Sequence, residues 1–141
     1  MAGWLNVKKN FNRNKETGMP YFRQGEFACG CGCGLSAVDP YFVAGLKRAR
    51  RLAKIPFTVL SGCRCAKHNA EVGGKPGSLH LPGVDGLCRA ADIRAPDAAV
   101  KLTIVGALLG AGFQRVCVYK DKSIIHVDGG YPQHPAGLYV L

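Results

Sequence analysis

Residues 115–128 read RVCVYKDKSIIHVD. Apolar and other side chains alternate in two short runs, over 115–119 and 123–128, and the polar residues Lys120, Asp121 and Lys122 separate them. Alternation is typical of a half-buried strand, and two such runs around a short polar turn predict a β-hairpin. An antiparallel pair of strands is therefore the expected framework of the fold.

The sequence before this hairpin predicts two helices and two further strands. Asp39 followed by Pro40 is typical of a helix start, since aspartate caps free N–H groups and proline fits the first helical position. Apolar positions then recur at helical spacing until Pro56, and a second helix follows the cap residue Asp97. The predicted elements are a helix over 40–54, strands over 57–60 and 90–93, and a helix from 97 that ends at Gly110 or Gly112.

Together these elements predict an α+β fold with a small, mostly antiparallel sheet flanked by helices. The 141 residues suffice for one domain, and we expect an irregular basic arm over 1–26 before a single domain over 27–141. Hydrophobic residues make up 48% and no apolar run is long enough for a membrane span. The start of the chain has no hydrophobic core of a secretory signal, so no signal peptide is expected.

The chain is strongly basic, with 19 Lys and Arg against 9 Asp and Glu and a formal net charge of +10. Such a charge favours polyanionic surroundings, which include nucleic acid, an anionic cell wall and a membrane surface. The sign of the charge does not choose among them.

Seven cysteines exclude a complete set of intramolecular disulfides, because the number is odd. One interpretation is a structural zinc site, although the spacing matches no tidy C-x-x-C pair. The other interpretation is small buried residues with one or two disulfides. The cysteines considered for a zinc site are Cys29, Cys31, Cys33, Cys63 and Cys65.

Two histidines and one aspartate have the composition of a catalytic zinc site. His80 lies in the glycine-rich loop over 73–87, Asp92 in the strand that follows, and His126 in the hairpin. Catalytic zinc takes three nitrogen or oxygen ligands and keeps a further position open. Asp92 stands in an otherwise apolar strand, where a carboxylate needs a cation or several donors to offset its burial.

An ordered set of short motifs between Phe27 and Gly130 resembles the zinc D-alanyl-D-alanine carboxypeptidases. That family of peptidoglycan metallopeptidases also includes L-alanyl-D-glutamate endopeptidases of bacteriophage endolysins and murein endopeptidases. The motifs are Ser61-Gly62-Cys63-Arg64-Cys65-x-x-His68-Asn69, Gly73-Gly74, Ser78-x-His80-Leu81-x-Gly83, Ala90-Ala91-Asp92-Ile93, Gly112-Phe113, Tyr119 and Ile125-His126-Val127-Asp128.

The resemblance implies a Zn²⁺ site on the sheet face, with His80, Asp92 and His126 as its ligands. It also implies that Arg64, Asn69 and Ser78 hold the carboxylate and peptide groups of the substrate. The forked donors of arginine suit a carboxylate, which agrees with that role.

Two departures from the family pattern leave alternatives open. The pattern H-x-x-G-x-A-x-D is lengthened by residues 84–88, which makes Asp85 a rival to Asp92 as a ligand. Many relatives carry the catalytic acid three residues before the last histidine, where this chain has Ser123. Asp128 shares a strand face with His126 and is the preferred catalytic base, Asp121 is the second choice, and loss of activity is a third outcome.

The resemblance therefore predicts a zinc metallopeptidase that cleaves stem or cross-bridge peptides of peptidoglycan, in the manner of a phage lytic enzyme. Its partners would be those peptides and anionic wall polymers, with no specific nucleic acid and no membrane span. It would act at the bacterial cell wall, from the cytoplasm or from a virion. One rival is an inactive zinc-binding module of the same fold, and another is a nucleic-acid binder.

Overall fold

The computed structural model describes residues 22–130 and 134–141. Within these residues the chain forms one 3₁₀ helix, three α-helices and five strands. In chain order they are the 3₁₀ helix Gln24–Phe27, α1 Pro40–Ala53, β1 Val59–Ser61, α2 Ala66–Glu71, β2 Ala90–Arg94, α3 Ala98–Gly110, β3 Arg115–Val118, β4 Ile124–Asp128 and β5 Gly137–Val140.

The strands form one sheet in the order β1-β2-β4-β3-β5. The first four are antiparallel to their neighbours, whereas β5 runs parallel to β3. This confirms the predicted α+β fold with a mostly antiparallel sheet. The predicted hairpin is β3 and β4, and their pairing sets Cys117 against His126.

One face of the sheet builds the hydrophobic core together with α1 and α3. Side chains at alternate strand positions point to opposite faces, so the core-facing residues interleave with those of the other face. Phe42 of α1 packs edge-on against Phe113, with ring centroids 5.6 Å apart. The fully buried residues of the core include Phe42, Leu46, Ile93, Ile104, Leu108, Val116, Ile125 and Val127.

Both predicted helices form where expected, and their caps explain why. Asp39 accepts a hydrogen bond from the backbone N–H of Tyr41, and Asp97 accepts one from that of Val100. β1 begins at Val59, two residues after the predicted start, and Phe57 is buried in the core just before it.

Three short elements have no counterpart in the sequence-based prediction: α2, β5 and the 3₁₀ helix. Phe22, just before the 3₁₀ helix, packs against Phe27 with ring centroids 5.6 Å apart. Residues 1–21 of the predicted arm lie outside the described residues. No helix of the described ranges is long and apolar enough to cross a membrane.

Candidate metal centre

The pairing of β2 with β4 brings Asp92 and His126 together. The two residues are direct partners across the ladder, so their side chains leave the same face of the sheet side by side. His126 Nδ1 lies 2.9 Å from Asp92 Oδ1. This face is opposite to the one that carries Ile93 and Ile125, and it is free of the hydrophobic core.

His80 reaches the same place from the loop before β2. Its Nδ1 lies 2.6 Å from the carbonyl oxygen of Gly62. Because a carbonyl oxygen can only accept, Nδ1 carries the hydrogen and the lone pair of the neutral ring is on Nε2. That Nε2 is buried and makes no hydrogen bond, although Asp92 Oδ1 is only 3.3 Å away.

These three side chains fit a metal ion. His80, Asp92 and His126 each offer a ligand atom, and the atoms lie within 4.8 Å of one another. Bonds of about 2.0–2.1 Å to nitrogen and oxygen place tetrahedral ligand atoms about 3.3 Å apart, close to the separations of Asp92 Oδ1 from the two rings. The unpartnered Nε2 of His80 is the strongest sign, because a buried polar atom is normally satisfied.

The electrostatics of the trio favour charged groups. Burial raises the pKa of the Asp92 carboxyl, but the neighbouring His126 and His80 outweigh burial and hold this pKa well below its usual range. Burial lowers the pKa of His126, but its hydrogen bonds to Asp128 and Asp92 raise this pKa to about 9. Positive charge is therefore favoured beside the Asp92 carboxylate, as a proton on His126 or as a metal ion bound by the trio.

Arg64 and Ser78, two of the three residues expected to bind substrate, line the cleft above the trio. The guanidinium of Arg64 donates to Ser61 Oγ at 3.0 Å, to Asn69 Oδ1 at 3.2 Å and to Asp92 Oδ2 at 3.2 Å. Ser78 Oγ accepts from the backbone N–H of His80 at 3.2 Å. Asn69 is buried behind Arg64 and holds the loop by donating to the carbonyl oxygen of Lys75 at 3.0 Å.

Asp85, the rival ligand, lies away from the trio. Its carboxylate is paired with Arg89, and Arg89 in turn donates to Asp39 at the start of α1. That pairing holds the pKa of the exposed Asp85 carboxyl low, at about 2. Asp85, in the residues that lengthen the loop, is thus linked through Arg89 to the start of α1, and Asp92 on β2 is the aspartate that lies beside the two histidines.

Asp128 is buried beside His126 on the same strand face. Its Oδ2 accepts from His126 Nε2 at 2.8 Å, and its Oδ1 accepts from the backbone N–H of Gly130 at 3.0 Å. Burial raises the pKa of this carboxyl, but His126, the N–H of Gly130 and the charge of Arg115 together lower it below its usual value. Asp128 is therefore ionised and holds the imidazole ring from the side opposite to Asp92.

Arg115 is a site residue that the sequence analysis missed. Its Nε donates to Asp128 Oδ2 at 3.1 Å, and its Nη1 donates to the carbonyl oxygen of Pro135. The pairing of β3 with β4 sets Val116 against Val127, so the same register continued by one residue brings Arg115 beside Asp128. The sequence contained the pairing of Arg115 with Asp128, because counting residues outward from the turn of the predicted hairpin sets these two positions opposite each other.

The trio lines one cleft of about 660 Å³ together with Arg64, Ser78, Arg115 and Asp128, whereas Asn69 and Asp85 do not line it. Its cationic side chains are Arg64, Lys75, Arg115 and Lys122, and its lining carboxylates are Asp92 and Asp128. Asp121, the second choice for the catalytic base, is exposed in the turn between β3 and β4 and is not among the lining residues.

A family model described as Peptidase M15 matches residues 20–128, which is most of the chain and includes every residue of the trio. The chain belongs to the Peptidase M15 family. A search of the curated proteins returned no match. Membership of the M15 family places the chain among the hydrolases that cut peptide bonds, and M15 peptidases are typically metal-dependent. The family assignment and the geometry of the trio thus agree independently.

We expect His80→Ala and His126→Ala each to lose one equivalent of bound metal relative to the wild type, because each variant removes one of three ligands. Asp85→Asn is the matched control and should keep the full amount, because Asp85 pairs with Arg89 instead. Elemental analysis of the purified proteins after dialysis measures the difference. Metal retained in both histidine variants, or lost from Asp85→Asn, would show that the ligands were assigned wrongly.

We expect Asp128→Asn to lower the metal affinity by about 10–100-fold, because the carboxylate orients His126 through Nε2. A competition titration with a chromogenic chelator measures this affinity. The opposite outcome is unchanged metal binding with a rate reduced on the order of 10²–10⁴-fold, which is the signature of a general base. That outcome would support the catalytic role predicted from the sequence.

Proposed function

We propose that the chain is a zinc metallopeptidase that cleaves peptides of peptidoglycan. The observation that carries the proposal is the trio of His80, Asp92 and His126 in a cleft that four cationic side chains also line. Two imidazoles and one carboxylate are the ligand class of catalytic zinc in hydrolases. The membership in the M15 family supports the same chemistry.

When bound, Zn²⁺ supplies a Lewis acid that polarises a scissile carbonyl and lowers the pKa of water to about 7. His80 presents Nε2 to the ion because the carbonyl oxygen of Gly62 fixes its other nitrogen. Asp92 Oδ1 lies between the two histidines, and Arg64 holds Oδ2 of the same carboxylate in place. These contacts set the ligand atoms before any ion arrives, which lowers the cost of ordering the site.

Asp128 is the side-chain carboxylate that lines the cleft outside the trio among the described residues, and it is the residue preferred from the sequence as the catalytic base. A base must be ionised to accept a proton from the attacking water, and the low pKa of Asp128 meets that condition. Its contacts with His126, Arg115 and Gly130 also give it a positioning role. The contacts favour the positioning role, because a carboxylate with a lowered pKa is a weak base at neutral pH.

The charge of the cleft supports an acidic peptide as the substrate. Four cationic side chains surround two carboxylates, and both carboxylates are already paired with arginines. Stem peptides of peptidoglycan carry free carboxylates, which can accept from the two N–H groups that Arg64 has left after its contacts with Ser61, Asn69 and Asp92. The net charge of +10 would favour adhesion to anionic wall polymers, so the proposed site of action is the bacterial cell wall and the proposed role is that of a lytic enzyme of phage type.

Digestion of purified cell walls tests this proposal. The zinc-loaded chain should release peptides with new amino and carboxyl termini, and mass spectrometry of the products identifies the bond that is cut. His126→Ala is the control and should release none, and removal of the metal by a chelator should stop the wild-type reaction until Zn²⁺ is returned. A zinc-loaded wild type that cuts no wall peptide from any source would instead indicate an inactive module of the same fold.

We expect Arg64→Lys to raise KM for wall peptides by roughly 10–100-fold, since losing charge-assisted hydrogen bonds to a carboxylate costs about 1.5–3 kcal/mol. Steady-state kinetics measure the effect, and Arg48→Lys on α1, away from the cleft, is the matched control. Metal content must be measured in parallel because Arg64 also touches Asp92. Unchanged kinetics in Arg64→Lys would exclude a role in substrate binding.

A further inference from the structure

Four cysteines meet at the surface beside the start of α2, away from the trio described above. Cys29, Cys31 and Cys33 lie in the loop after the 3₁₀ helix, and Cys65 is the residue just before α2. Their sulfur atoms all lie within 4.8 Å of one another. Cys29 is buried, Cys65 is half-buried, and the other two are exposed.

The distances among three of these sulfur atoms are close to those of a tetrahedral metal site. Cys29 Sγ is 3.5 Å from Cys31 Sγ and 3.8 Å from Cys65 Sγ, and the last two sulfurs are 3.7 Å apart. Zn–S bonds of about 2.3 Å place tetrahedral sulfur ligands about 3.8 Å apart. A disulfide needs about 2.05 Å, and none of the seven cysteines forms one in the described residues.

The local backbone is shaped to bring the thiols together. Gly32 and Gly34 have φ of 83° and 91°, a conformation that L side chains rarely adopt, and the N–H of Cys29 donates to the carbonyl oxygen of Leu35 at 2.7 Å. The loop therefore curls on itself, so three thiols at alternate positions converge. This turn explains why the C-x-C-x-C spacing can supply ligands, although it matches no familiar zinc pattern.

Backbone N–H groups also point at the sulfur atoms. The N–H of Cys65 donates to Cys29 Sγ at 3.4 Å, and the N–H of His68 donates to Cys65 Sγ at 3.4 Å. Such donors stabilise negative charge on thiolates and orient metal ligands from outside. Cys63 is not part of this group, in contrast to the wider set considered from the sequence, because its thiol contacts that of the buried Cys88 instead.

We propose that Cys29, Cys31, Cys33 and Cys65 bind a second zinc ion with a structural role. Four thiolates complete the tetrahedral coordination of zinc and leave no position for water, so this ion takes no part in hydrolysis. It joins the 29–35 loop to the segment that begins α2. Arg64 directly precedes Cys65, and Asn69 of α2 accepts from Arg64, so the ion fixes the backbone that aims Arg64 at the cleft.

Metal counting and cobalt spectroscopy on the reduced full-length chain test this proposal. The wild type should hold two equivalents of zinc, and Co²⁺ in their place should give a near-ultraviolet thiolate-to-cobalt charge-transfer band. Cys31→Ser combined with Cys33→Ser should lose one equivalent and the band. His126→Ala should lose the other equivalent and keep the band, so failure of the catalytic site and failure of this site are distinguishable.

Cys88→Ala is the matched control, because it removes a thiol outside the group of four. It should keep both equivalents and the band. If the serine variant does not fold, alkylation of the wild type provides the test. The exposed Cys31 and Cys33 should react slowly while zinc is bound to them, and rapidly after a chelator removes it. Two equivalents in the serine variant, or rapid alkylation of both thiols in the zinc-loaded wild type, would overturn the proposal.

Discussion

The antiparallel register between β2 and β4 is the constraint on which the site depends. It places Asp92 directly opposite His126, and strand alternation then puts Asp128 on the same face two residues further along. A slip of one residue would turn these side chains into the core and bring Ile93 and Ile125 to the cleft. Because the core face is packed against α1 and α3, that slip would expose the largest buried side chains, so the core itself secures the metal ligands.

Ion pairs hold in place the side chains that the strand register brings together. Asp92 touches Arg64 and His126, and Asp128 touches Arg115 and His126, so the half-buried Asp92 and the buried Asp128 each have one arginine and share the same imidazole. A buried carboxylate without partners is costly, and these pairs remove that cost while leaving His80 Nε2 free of hydrogen bonds. Among the buried side chains of the described residues, His80 Nε2 is the nitrogen without a hydrogen bond, it lies near the other two ligand atoms, and a metal ion explains it.

The sequence predicted the parts of the fold that have strong local signals. The hairpin, the helix cap at Asp39 and the α+β class are confirmed, because alternation and capping act over a few residues. α2 and β5 escaped prediction since they are short and depend on contacts with distant segments, such as the parallel pairing of β5 with β3. The residue types suggested the trio, and a resemblance between motifs supplied the ligand roles. The sequence also grouped Cys65 with Cys29, but it included Cys63, and only the structure separates Cys63 from the other four thiols.

Anomalous X-ray diffraction at the zinc absorption edge, from crystals of the zinc-loaded chain, tests the central claim most directly. The account predicts a peak between His80 Nε2, Asp92 Oδ1 and His126 Nδ1, within bonding distance of all three. Zinc bonded to Asp85, or a loaded crystal with no peak at this position, would contradict it.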